Sequence, residues 1–200
     1  MSSSEAQGGN LMSTKVNHRS WLLVGSLVSI TLVMAVVGCQ RKPISPPPPP
    51  GPETIKVPEG QTLLLKALGK GVQIYGCMAT AADPGKFDWS FKAPEADLTN
   101  EDGKKIAKHY AGPTWEANDG SKVVGERKAE IAAPRPGAVP WLLLEAKTHE
   151  GTGTFARVTY IQRMDTEGGV APTAGCDQTH INTEARVDYR ANYYFYAAQR

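Results

Sequence analysis

From Glu53 to the C-terminus, no long segment of the chain keeps apolar residues at i, i+3, i+4 and i+7. A chain without that period cannot build its core from helix faces, so strands must supply it. Short apolar or alternating runs do recur, and turn residues separate them. Leu63-Leu64-Leu65 and Val72-Gln73-Ile74-Tyr75 flank Gly69-Lys70-Gly71, a tight-turn composition. Asp83-Pro84-Gly85 and Asp102-Gly103 are further turn signals. Asn118-Asp119-Gly120-Ser121 separates Pro113–Glu116 from Lys122–Val124, a hairpin pattern. Trp141–Leu144 and Thr154–Arg163 flank Glu150–Gly153 as a second hairpin, with Ala156, Val158 and Tyr160 on one face and Arg157, Thr159 and Arg163 on the other. Tyr193–Tyr196 has the composition of a closing strand, and Pro94–Leu98 that of a single helical turn. The expected fold class is all-β: one antiparallel β-sandwich or closed, barrel-like domain with short or no helices.

The segment upstream has a different character. Lys15, His18 and Arg19 precede an apolar run from Trp21 to Val37, which ends at Val36-Val37-Gly38-Cys39. That is the layout of a lipoprotein signal peptide whose cysteine is acylated as residues 1–38 are removed, with Met1 or Met12 as the start. An uncleaved anchor is the alternative, because seventeen apolar residues lie at the lower limit for spanning a bilayer. In both cases the positive charges precede the run and place the domain outside the cytosol. Gln40 stands where aspartate marks inner-membrane retention in many Gram-negative lipoproteins, so the outer membrane is expected if the source has one. Residues 39–53 then form a linker, in which Pro46–Pro50 fix a polyproline II spacer. Residues 54–200 form the single folded domain.

Removing residues 1–38 takes away Lys15, Arg19 and Glu5, which leaves 20 basic against 19 acidic side chains. That balance, with the signs interspersed, gives no footprint for nucleic acid. The partners expected are the membrane, through the lipid, and an envelope polymer, carbohydrate or protein. Of the three cysteines, acylation uses Cys39, and Cys77 and Cys176 are left to pair or to remain as small buried hydrophobes. Export favours the disulfide.

Several blocks together carry a family resemblance. They are Gly71–Cys77 (GVQIYGC), His109–Glu116 (HYAGPTWE), Asp119-Gly120-Ser121, Pro140–Leu143, Val158–Arg163, Thr166–Gly169 and Tyr189–Tyr196. This pattern resembles the domain of unknown function family numbered thirty-four fifty-five, exported proteins of bacteria, fungi and plants, over Val57 to Ala198. The resemblance implies an exported β-rich domain and no established activity. Some eukaryotic members carry a malate dehydrogenase label. This chain has no Gly-x-Gly-x-x-Gly turn between a strand and a helix to hold a dinucleotide, and Gly151 and Gly153 lie between strand candidates instead. No cofactor is expected.

His109, Glu116, Asp119 and Ser121 fall within thirteen positions and could supply a base, an orienting acid and a nucleophile for an extracytoplasmic hydrolase. The plainer reading makes Trp115 core, Asp119-Gly120 a turn and Ser121 its hydrogen-bond partner. His109, His149 and His180 lack close ligand spacing, so no metal is expected. Trp115 and Tyr194 are candidate ligand contacts, against a reading in which the strand through Tyr194 is buried on both faces. A non-catalytic binding or structural domain is the reading these residues favour.

Overall fold

The computed structural model describes residues 51–199. Cys39, the segment before it and most of the proline linker lie outside them. Eight antiparallel strands follow one another round a closed barrel. They are β1 (Gln61–Ala79), β2 (Phe87–Thr99), β3 (Lys105–Tyr110), β4 (Thr114–Ala117), β5 (Lys122–Ile131), β6 (Trp141–Glu150), β7 (Tyr160–Gly168) and β8 (Glu184–Ala198). The barrel closes where β8 pairs with β1, from Gln61↔Ala198 to Gly76↔Glu184. Closure removes both sheet edges and with them a template for aggregation. Of the two architectures expected, the barrel is the one formed.

Two segments differ from expectation. Gly69-Lys70-Gly71 does not turn the chain but lies inside the unbroken strand β1. A Cβ on Gly69 would stand 2.6 Å from the Tyr193 ring, so the glycine gives that ring room against the strand instead of reversing it. Pro94–Leu98 is part of β2 and not a helical turn. Pro94, Ala96 and Leu98 are buried while Glu95 and Asp97 are exposed, the period of two of a strand with one face inward.

Inward residues of β8 (Tyr189, Ala191, Tyr193, Phe195) join Trp115, Leu144, Ile161 and Phe155 in the barrel core. The outward residues Tyr194 and Tyr196 are buried too, beneath the chain entering the domain. A 3-10 turn at Glu53–Ile55 seats Ile55 with Leu63, Leu143, Met164 and both tyrosines. Gln162 fastens this strap: its Nε2 donates to the Ile55 carbonyl at 2.7 Å, and its Oε1 accepts from the Tyr196 hydroxyl at 2.7 Å.

The two ends of the barrel are unlike. At the end carrying the β4–β5 and β6–β7 connections, residues 151–159 fold back and bury Phe155 against Phe195, with ring centroids 4.8 Å apart. This segment replaces the first part of the expected strand from Thr154, and β7 begins only at Tyr160. The opposite end carries the β1–β2, β3–β4, β5–β6 and β7–β8 connections. There a disulfide joins Cys77 of β1 to Cys176 of the β7–β8 loop, across 99 positions of sequence.

Candidate functional site

The barrel is filled from the Phe155 end to about the level of Trp115. Above it, toward the disulfide end, lies a cavity of about 370 Å³. Eight strands enclose an interior wide enough for side chains or for one small ligand. Here the lower part holds the first and the upper part leaves space for the second. Leu142, Leu144, Val139, Pro94 and Phe91 make much of its wall apolar.

His109 of β3 and Trp115 of β4 stand opposite each other in the ladder, and both line the cavity. Their rings stack at 4.3 Å with planes 6° apart, and the Tyr193 ring meets them edge-on. His109 Nδ1 lies 2.9 Å from the Thr114 carbonyl. A carbonyl only accepts, so Nδ1 carries the proton and Nε2 the lone pair. Burial, with the Arg163 charge adding to it and the Thr114 bond opposing it, pushes the imidazole pKa down to about 3. His109 is therefore neutral at physiological pH.

Arg163 of β7 contributes the site's positive charge. Its Nε and Nη2 both donate to the Pro140 carbonyl, at 3.2 and 2.9 Å, which fixes the guanidinium at the wall. Tyr75, His109, Tyr189 and Tyr193 all feel its charge. The other charged wall residues are paired: Arg127 with Glu130 at 2.6 Å, and Lys92 with Glu184 at 2.5 Å. Among the described residues no carboxylate pairs with Arg163. Two buried donors on wall residues also close no hydrogen bond, Gln73 Nε2 and Trp115 Nε1. The Gln73 amide lies against the Tyr189 hydroxyl, itself held in its neutral form by burial.

The residues singled out from sequence scatter. His109 points inward, whereas Glu116 points outward, where its carboxylate accepts from the Tyr110 hydroxyl at 2.8 Å and pairs with Lys108 at 3.7 Å. Tyr110 and the neighbouring lysines hold the Glu116 carboxyl below its usual range. Asp119 lies at the Phe155 end. Its oxygens accept from the backbone and hydroxyl of both Ser121 and Thr154, and these four bonds hold it well below the usual carboxylate range. Ser121 Oγ in turn accepts from the Phe155 N–H at 3.1 Å. Asp119 and Ser121 thus clip two loops together, and no base–acid–nucleophile set forms with His109.

Trp115 lines the cavity, while Tyr194 is covered by the strap on the outside. His149 is exposed near the end of β6, and its ring Nε2 bonds the Val158 carbonyl at 2.7 Å. His180 pairs with Asp177 on the β7–β8 loop. Among the described residues no three His, Cys, Asp or Glu side chains cluster to hold a metal. Sequence reasoning missed Gln73 and Arg163. The signal was there: Arg163 is in phase with buried Ile161, and Gln73 with buried Tyr75.

The chain matches the model of the family described as Protein of unknown function (DUF3455) over residues 58–197, and it belongs to that family. The match begins just after the 3-10 turn of the strap and ends within the last residues of β8, so it covers all eight strands and leaves Cys39 and the proline run outside. No curated protein and no solved structure matches the chain.

Proposed function

We propose that this family member is a non-catalytic binding protein of the cell envelope that holds a small, largely apolar molecule in the upper half of its barrel. The observation carrying this reading is one cavity that combines a largely apolar wall with a fixed cation, Arg163, that has no carboxylate partner among the described residues. An apolar enclosure with a few fixed polar groups is the usual make-up of a small-molecule site, and about 370 Å³ is within the usual range. Such a space suits a small molecule better than a polymer chain or a protein surface. The hydrolase alternative asks His109 to work with Glu116 or Asp119. The first lies on the opposite face of the sheet and the second at the far end of the barrel.

Lipid attachment at Cys39 is part of the proposal. The run from Trp21 to Cys39 and the prolines after it support it, and the Cys77–Cys176 disulfide suits an oxidising compartment. The test is a titration of the full chain with N-phenyl-1-naphthylamine, a neutral apolar fluorophore. Saturable uptake at one site is expected, and Leu142→Trp, which fills the cavity, should abolish it. Absence of saturable uptake, or uptake unchanged by Leu142→Trp, would contradict the reading.

A further inference from the structure

We infer that the ligand of this cavity carries one anionic group of the carboxylate class, seated on Arg163. The inference rests on the binding reading and narrows it to a chemical class. Arg163 stands in the wall of a mostly apolar cavity, is half-buried, and has no carboxylate partner among the described residues, whereas Arg127 and Lys92 on the same wall each have one. Removing a charge from water is costly unless an opposite charge or a set of hydrogen bonds replaces the solvent. The Pro140 carbonyl meets one edge of the guanidinium, Nε and Nη2. The Tyr193 hydroxyl also lies within reach of Arg163, and the end-on edge of Nη1 and Nη2, which no carboxylate occupies, has a geometry matched to two carboxylate oxygens.

The surroundings bear this out. The Tyr189 hydroxyl feels the Arg163 charge and lies within reach of the Gln73 amide. A single uncompensated positive charge calls for a singly charged head, which favours a carboxylate over a phosphate dianion. The tyrosines near it do not compete for the role. Burial raises the Tyr75, Tyr189 and Tyr193 hydroxyls above their usual range, so none supplies a phenolate. His109 is neutral and offers an acceptor at Nε2. The polar corner is therefore a cation with donors, and the remaining wall is apolar and aromatic. The ligand that fits has an apolar body and one carboxylate.

The test uses two probes with one body, 2-naphthoate and 2-naphthylmethanol, titrated calorimetrically into the full chain at neutral pH, with the lipid carrier alone as blank. The acid should bind at least about tenfold tighter than the alcohol, the scale of a charge-assisted hydrogen-bonded pair over a neutral one. Arg163→Met should weaken the acid alone and bring the two probes level. Arg163→Lys, keeping the charge without the fork, should retain part of the preference. Continued alcohol binding by Arg163→Met would show that the variant is folded. Equal binding of both probes to the unmodified protein, or a preference that survives Arg163→Met, would overturn the carboxylate assignment and leave the cavity reading standing. If neither probe binds, both fall. The comparison on the unmodified protein decides the matter even if Arg163→Met does not fold.

Discussion

His109 shows how burial, helped by a nearby cation, can turn a candidate base into part of a wall. Its folded pKa of about 3 is below the ordinary value of 6.5, so the unfolded chain binds the extra proton first as pH falls. Stability from this group is complete above pH 6.5 and is lost as pH falls toward 3, with a slope of at most about 1.4 kcal/mol per pH unit. Denaturant melts between pH 6.5 and 4.5, above the range where most carboxylates titrate, should show stability falling with acid. The slope should be shallower in His109→Gln, and an identical slope would mean that the ring is not buried neutral. A second prediction concerns Gly69, where a methyl would meet Tyr193 at 2.6 Å. Gly69→Ala should cost about 1–3 kcal/mol as an overpacked contact, and an unchanged melt would deny the close approach. At this scale the sequence was legible in part. Trp115 could be placed by its neighbours, but Gly69 and Gly71 have turn composition. Gly69 makes room for a ring contributed by β8, more than a hundred residues away, and Gly71 for the β2 backbone at Glu95 and Ala96, and local reading has no access to either.

At the scale of elements, β8 and the strap explain why four successive aromatics occur in one strand. Tyr193 and Phe195 fill the barrel, and Tyr194 and Tyr196 are roofed by Ile55. Ile55 is fully buried, so Ile55→Ala should cost about 2–5 kcal/mol by calorimetry or denaturant melt, far beyond what an exposed linker residue would cost. A loss near zero would detach the strap from the fold. The disulfide acts on another element, tying the β7–β8 loop to β1. Replacing both Cys77 and Cys176 by alanine should lower stability by about 2–5 kcal/mol, with the entropic model near the upper figure for a loop of this length. The hairpin at Asn118–Ser121 and the turn at Asp83–Gly85 were readable because their residues carry the geometry themselves. Pro94–Leu98 was misread because a proline before two carboxylates also suits a helix start. Only pairing with β1 and β3 decides for the strand.

Over the whole molecule, closure was one of two expected outcomes, and nothing local chooses between sandwich and barrel. The choice lies in the long β1–β8 ladder, whose partners are the two ends of the domain. The cavity was not legible either, because it is a volume that the core leaves unfilled, and composition does not locate such volumes. What could be read was the pairing of Cys77 with Cys176 and the all-β class. A binding role requires that this volume hold a molecule. Native mass spectrometry of the protein purified gently from its source tests this most directly, compared with the same sample after denaturation. The prediction is a small-molecule mass that accompanies the folded chain and leaves on unfolding. A folded protein whose mass matches the denatured chain, with nothing bound in any preparation, would contradict it.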